Sequence, residues 1–290
     1  MITNPLVSVI ITTFNRKEIL AKAIESALGQ TYGNMEIIIA DDGSTDGTYE
    51  AVIGLKEQHP QIVVFRNEKN LGFVKNLNKA VGLAQGKYIA RLDDDDTWPD
   101  PQKLQKQVAF MEIRPEYVLT GGGVVRVDNA GREMIRFLLP KEDKDIKKAI
   151  LADNVFAHSA VLFSKQAFMQ VGGYDERFGF FADWALWMAL GKIGKLYNFS
   201  EFFVNYFDQE HGGRSHVRDY QIRRKLRAKI ILNNTYRGFY PGAKRALMLS
   251  FASYAYSFFP FREALWPTIF FVRKLVFGKP PYYYVINRKK

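Results

Sequence analysis

The sequence predicts an α/β fold, a twisted and mainly parallel central sheet with helices on both faces, followed by a basic, aromatic-rich helical extension. Three observations carry this. Short runs of β-branched and apolar residues recur along the first part of the chain, as strands buried on both faces require. Amphipathic segments of helical period separate them, the pattern of βαβ units. Finally, the charge changes sign late: residues 1–211 hold 24 Lys+Arg and 28 Asp+Glu, whereas residues 212–290 hold 17 and 2.

Leu6–Thr13 is the first strand, and Asn15 is placed to cap a helix that runs to about Leu28 with Ile19, Leu20, Ala23, Ile24, Ala27 and Leu28 on one face. Met35–Ala40 is a second buried strand. The turn-rich Asp41–Gly47 then leads into a helix through about Glu57. Ile62–Arg66 is a strand, Leu71–Ala84 a helix and Tyr88–Leu92 a fourth strand. Further on, Pro99–Arg114, Asp145–Leu151, Ser164–Val171 and a segment near Asp183–Leu190 read as helices. Tyr117–Val127, Met134–Leu138, Ser159–Phe163 and Leu196–Phe207 read as strands. After Gly212-Gly213 the pattern turns basic and helical.

Composition excludes several chemistries. With 290 residues and 47% hydrophobic content the chain can bury a core without covalent staples. With no Cys it forms no disulfide, thiolate nucleophile or iron–sulfur site, and His211 and His216 lack the further ligands zinc needs. MITNPLVSVIITT carries no basic n-region or cleavage site, so no secretory signal is expected. There is no G-x-G-x-x-G or G-x-S-x-G. Gly82–Tyr88 falls one residue short of a P-loop and ends in Tyr. The longest uncharged run of the tail, Ala246–Phe261, has 16 residues and contains Pro260, less than the roughly 20 apolar residues of a spanning helix. The reading favours helices lying on an anionic membrane surface. A packed helical subdomain is the alternative, and a nucleic-acid arm stands behind both.

Two acidic clusters follow strands, Asp41-Asp42 after the second and Asp93-Asp94-Asp95-Asp96 after the fourth. Ligands of open parallel sheets bind beyond the carboxyl ends of the strands. Adjacent carboxylates repel one another unless a cation or hydrogen-bond donors compensate. Their hard oxygens suit Mg²⁺ or Mn²⁺ sharing its shell with substrate phosphates.

Val7-Ser-Val-Ile-Ile-Thr-Thr-Phe-Asn15, Ile38-Ile-Ala-Asp-Asp-Gly-Ser-Thr-Asp-Gly-Thr48 and Ala90-Arg-Leu-Asp-Asp-Asp-Asp96 together resemble the family 2 glycosyltransferases with a GT-A fold. Asn70-Leu-Gly72, Lys75-Asn-Leu-Asn78, Gly172-Gly-Tyr-Asp175 and Asp183-Trp-Ala-Leu186 fit the same pattern, in order, over about residues 5–215. The resemblance implies a GT-A catalytic domain over 1–215, with a nucleotide-binding half (1–98) and an acceptor-binding half (99–215), and leaves 216–290 as a membrane-associating helical region. It implies nucleotide contacts from Thr12, Asn15, Asp42, Lys75 and Asp93, and a Mn²⁺ or Mg²⁺ ion on Asp95 with Asp96 assisting. Asp94 is expected to face outward and Arg91 to balance the cluster. Asp183 matches the catalytic base, although the family more often has Glu-Asp where this chain has Ala182-Asp183. His158 and Trp184 fall on the acceptor side, and His211 and Arg214 on a glycine-flanked lid over the diphosphate. Trp98, Trp184 and Trp187 suit either sugar stacking or a core. Gly121-Gly-Gly123 suits either close approach of the donor sugar or a bulge.

The implied reaction is sugar transfer with inversion, from a nucleotide-sugar, uracil being the usual base, to a hydroxyl of a glycan or polyprenyl-diphosphate-linked acceptor in surface-polysaccharide assembly. The implied place is peripheral, on the cytoplasmic face of the cell membrane, and no nucleic-acid partner is expected. A sugar-phosphate nucleotidyltransferase is the competing enzyme class, but Thr13-Phe-Asn-Arg16 lacks the Gly-rich loop it needs. A degenerate glycan-binding protein is the non-enzyme alternative.

Overall fold

The computed structural model describes residues 4–128, 130–207, 219–258 and 284–287, the last four and 219–222 by their backbone. Four parallel strands form one half of a mixed sheet in the order β3-β2-β1-β4. They are β1 (Val7–Thr13), β2 (Met35–Asp41), β3 (Ile62–Arg66) and β4 (Tyr88–Arg91). All seven residues of β1 are buried, which explains why it reads as a continuous apolar run rather than an alternating one. Its register sets the crevice. Val7 faces Met35 and Tyr88, Ile10 faces Arg91, and β1 and β2 run on together to Thr13 and Asp41. The cleft therefore opens over the carboxyl ends of these strands, where the acidic clusters stand.

The second half is built from longer strands. β6 (Tyr117–Val127) lies parallel to β9 (Lys195–Phe207), while β7 (Glu133–Leu138), β8 (Leu162–Ser164) and β10 (Tyr284–Asn287) run antiparallel to their neighbours. β8 joins the halves by pairing with both β4 and β6. The short β5 (Asp96–Thr97) pairs with β9, carrying Asp96 down into the sheet.

Helices cover both faces, as the alternation along the strands requires. Val9, Ile11, Ile37 and Ile39 pack with α1 (Lys17–Leu28), α2 (Thr48–Gln58) and α4 (Lys103–Ile113). Ile10, Ile38 and Ile89 pack on the opposite face with α3 (Phe73–Leu83), α5 (Asp143–Ala149), α6 (Lys165–Gln170) and α7 (Ala182–Ile193). Two more helices, α8 (Asp219–Tyr236) and α9 (Ala243–Tyr256), close this second core with Leu232, Tyr240 and Ala246, and the Tyr240 hydroxyl donates to the Met188 carbonyl. Residues 219–256 thus dock on the catalytic fold as a packed hairpin through one face, the alternative to lying wholly on a membrane.

Three local expectations change. Asn15 does not cap α1, because it sits at φ 53° and spends its Oδ1 on the Thr45 amide at 2.8 Å. Ser159 does not begin a strand, since His158–Ala160 is a 3-10 turn and β8 starts at Leu162. Gly121–Gly123 serve packing: an added Cβ would lie 2.3 Å from Asn198 Oδ1 at Gly121, 2.4 Å from Phe203 at Gly122 and 2.7 Å from Leu138 at Gly123. The β6–β9 register slips there, so these glycines form the bulge rather than a donor approach.

Candidate active site

Arg91, at the end of β4, organises the floor of the cleft. It is 1% exposed. Nη1 donates to the carbonyls of Ile10 and Leu92, and Nη2 to Thr12 Oγ1 at 2.9 Å and Asp93 Oδ1 at 2.6 Å. One buried guanidinium thus fixes the strand ends and aims Thr12 and Asp93. A buried charge persists only when paired and hydrogen-bonded in this way. Burial pushes the Asp93 carboxyl up, but Arg91, His158 and Ser159 overcome it and hold the group well below the ordinary carboxylate range.

Ser159 was not identified from the sequence, although it adjoins His158. It is buried in the 3-10 turn, where it accepts from the Asp93 amide at 3.0 Å and lies within donor reach of carboxylate oxygens of both Asp93 and Asp96. One hydroxyl proton serves two carboxylates, leaving negative charge in excess. Asp96 is 2% exposed, its Oδ1 has no hydrogen-bond partner, and burial followed by Asp93 raises it well above the ordinary range. Asp95 is half-buried, with Arg16 at 3.7 Å, and burial and Asp93 raise it too. Asp94, expected to face outward, is half-buried as well, and burial pushes it up to about 6. No three acidic or histidine side chains among the described residues converge on a cation-sized point. Mg²⁺-type ions typically take one or two carboxylates and complete their shell with substrate phosphates. The orphaned Asp96 oxygen and the half-buried Asp95, whose burial and neighbour Asp93 outweigh Arg16, fit such an ion.

Asp42 is engaged by the protein. Its Oδ1 accepts from Asn67 Nδ2 and the Leu71 amide and its Oδ2 from the Gly72 amide, each at 2.9 Å. Asn76, donating to the Ala40 carbonyl, and Lys79, donating to Asn67, extend this network. Asp42 therefore holds the 70–72 loop against the cleft, and any contact with a base uses the acceptor capacity that remains. Asp41, next to it, is fully buried on Ser44 and Arg66. Lys75 is exposed and forms an ion pair with Glu176 at 3.8 Å.

Across the cleft, Asp183 begins α7. Its Oδ2 accepts from Asn154 Nδ2 at 2.8 Å, and burial raises its carboxyl against the opposing pull of His158. Asn154 carried no sequence signal, because a loop amide has no motif. His158 contacts Asp93 and acts on Asp183 through its charge. Its Nδ1 lies 3.6 Å from Asp93 Oδ1 and its Nε2 3.0 Å from the Tyr174 hydroxyl, with Phe73 and Trp187 edging the ring. Tyr174 is in turn pinned by the Asn78 side chain, whose Nδ2 donates to the Tyr174 carbonyl and whose Oδ1 accepts from the Tyr174 amide. Trp184, expected on the acceptor side, is a core residue: it is 3% exposed, donates to the Ile150 carbonyl at 2.6 Å and meets Phe181 edge-on. Trp98 and Trp187 are buried likewise. His211 and Arg214 lie outside the described residues.

The cleft thus joins strand-end donors, a carboxylate cluster short of positive charge and a separate half-buried carboxylate. The family model for glycosyl transferase family 2 matches residues 8–172, more than half of the chain. The chain belongs to glycosyltransferase family 2. It is 32% identical over 189 residues to the amylovoran biosynthesis glycosyltransferase AmsE of Erwinia amylovora, covering 64% of this chain and 70% of that protein. A 128-residue stretch is 39% identical to the Escherichia coli UDP-Glc:alpha-D-GlcNAc-diphosphoundecaprenol beta-1,3-glucosyltransferase WfaP, over 40% of this chain and 50% of that one. The fold matches the Pyrobaculum calidifontis mannosyltransferase PcManGT, solved with GDP-Man and Mn²⁺. The TM-score is 0.61 at 18% identity, over 93% of this chain and 80% of that one. This family 2 chain is accordingly a glycosyltransferase with a GT-A fold.

Proposed function

We propose that this glycosyltransferase moves a sugar, with inversion, from a UDP-sugar to a hydroxyl of a lipid-linked glycan during surface-polysaccharide assembly. The observation that carries the reading is that Asp93 and Asp183 lie in one electrostatic site, both acted on by His158, whose Nδ1 is 3.6 Å from Asp93 Oδ1. Residues 1–98 take the nucleotide on Thr12, Asp42 and Asp93, and residues 99–215 take the acceptor. Asp95, with Asp96, would hold a Mn²⁺ or Mg²⁺ ion, which when bound would offset the charge on the departing diphosphate. Asp183 accepts the proton of the acceptor hydroxyl. The oxygen bonds to the anomeric carbon from the face opposite the diphosphate, and the broken C–O bond leaves its electron pair on that diphosphate. The relatives support the substrate class, one named for amylovoran biosynthesis and one for a UDP-Glc donor with a diphosphoundecaprenol-linked acceptor.

A lipid-linked acceptor places the enzyme peripherally on the cytoplasmic membrane face. No helix among the described residues is long and apolar enough to cross a membrane. Met248, Phe251 and Phe258 stand exposed in helical register on and just beyond α9, behind Lys244 and Arg245, as an interfacial helix requires. A panel of nucleotide-sugars, assayed with and without Mn²⁺ for release of nucleoside diphosphate, tests the reading. One UDP-sugar should turn over only with the metal. Release of pyrophosphate instead would make the chain a nucleotidyltransferase.

A further inference from the structure

Helix α8 lies outside the residues matched by the family model, yet it touches the start of α7 and the turn before it at two points. Lys229 Nζ donates to the Ala152 carbonyl at 2.9 Å and lies 5.0 Å from the centre of the Trp184 ring. One helical turn earlier, Lys225 Nζ stands 3.9 Å from the centre of the Phe180 ring. Phe180 is 70% exposed and precedes Asp183 by three residues.

Nothing in the packing accounts for that exposure. Phe181 turns inward onto Trp184, whereas Phe180 is carried outward by Gly179, at φ 50° and ψ −108°. An added Cβ at Gly179 would meet nothing within 4 Å, so the backbone conformation, rather than crowding, is what requires glycine there. The turn holds an apolar ring in water beside the base, with an ammonium on one face. Such a cation–π contact is weak at an exposed site, so it positions Lys225 without consuming it. The guanidinium of the same turn, Arg177, is already held by Asp175 at 2.6 Å, while among the described residues no carboxylate pairs with Lys225.

We propose that Phe180 and Lys225 form an acceptor subsite, Phe180 seating the apolar face of the acceptor sugar and Lys225 meeting a phosphate or diphosphate attached to that sugar. Residues 180–183 span the junction of a 3-10 turn and α7, so Phe180 and Asp183 stand about one helical turn apart, roughly 5 Å, near enough for one hexose to meet both. Lysine serves phosphate as a point charge, which suits a group at the rim of the cleft. The inference rests on the glycosyltransferase reading above and adds that a helix outside the family match reads the acceptor's charge.

The test measures binding to the UDP- and Mn²⁺-loaded full chain of two probes, phenoxyundecyl diphosphoryl α-N-acetylglucosamine and the phosphate-free phenoxyundecyl α-N-acetylglucosaminide. The sugar follows the acceptor named for one relative. The wild type should prefer the diphosphate probe by about tenfold, as a charge-assisted contact of this kind gives. Lys225→Ala should abolish most of that preference, and Phe180→Ala should weaken both probes alike, with UDP affinity unchanged in both variants. Equal behaviour of the two probes with the wild type, including no binding, overturns the subsite, and so does an intact preference in Lys225→Ala or a loss of UDP affinity in either variant. Failure of the glycosyltransferase reading itself shows separately, as absent Mn²⁺-dependent UDP binding in the wild type.

Discussion

Single side chains carry opposing demands in this cleft. Asp183 is half-buried, with the Asn154 side-chain amide and the Trp184 backbone as donors, and loss of solvent still raises its carboxyl. The folded chain then binds the Asp183 proton more tightly than the unfolded chain does. Stability from this group is complete at low pH and is lost as pH rises from the ordinary carboxylate range through the raised value. Above that value the ionised group costs stability, so Asp183→Asn should raise the melting temperature at neutral pH, and an unchanged or lower value would contradict the burial argument. With Asp183 as the proposed base, turnover needs the ionised form, so kcat should fall on the acid side at a pH above the ordinary carboxylate range. Because His158 opposes the rise, His158→Gln should move that limb upward, which a pH–rate profile checks. Asp42 makes the contrasting case. Removing a carboxylate that satisfies three donors costs about 1–3 kcal/mol, so Asp42→Ala should lower stability in denaturant titration as well as donor affinity. Its place in the cleft was legible from the motif, but its partners were not, because Asn67, Leu71 and Gly72 arrive from another part of the chain.

At the scale of elements, what repeats locally was readable and what depends on distant partners was not. β1 and β2 announce themselves as unbroken β-branched runs because both their faces are covered. β5 is two residues long and exists only because β9 lies beside it, so no periodicity marks it. The 3-10 turn at His158–Ala160 likewise follows from the cleft, whose carboxylates meet the Ser159 hydroxyl. The glycine run of β6 was visible as a signal, but its meaning came only from the side chains facing it. Gly121→Ala brings a Cβ within 2.3 Å of Asn198, whose amide donates to two carbonyls. Overpacking of this kind costs about 1–3 kcal/mol. Thermal unfolding should show that loss while UDP affinity is retained, and an affinity loss without destabilisation would return the glycines to the donor pocket.

The whole molecule separates its charges. Residues 1–211 are net acidic, and the 17 basic residues after position 211 are met by only 2 acidic ones. The sequence gradient made this division visible, but not that α8 and α9 would spend one face on the catalytic core, since Leu232, Tyr240 and Ala246 acquire their partners only in the fold. Vesicles containing anionic lipid should bind the protein, more weakly as salt rises, and replacing Met248, Phe251 and Phe258 with Ser should reduce that binding without loss of donor turnover. The division between a nucleotide-gripping cluster and a separate base is tested most directly by titrating UDP with Mn²⁺ into Asp95→Asn and Asp183→Asn while measuring the turnover of each. Asp95→Asn should lose metal-dependent binding, whereas Asp183→Asn should keep UDP affinity and lose about 10²–10⁴-fold in turnover. An Asp183→Asn protein that binds UDP as poorly as Asp95→Asn, or that turns over normally, contradicts it.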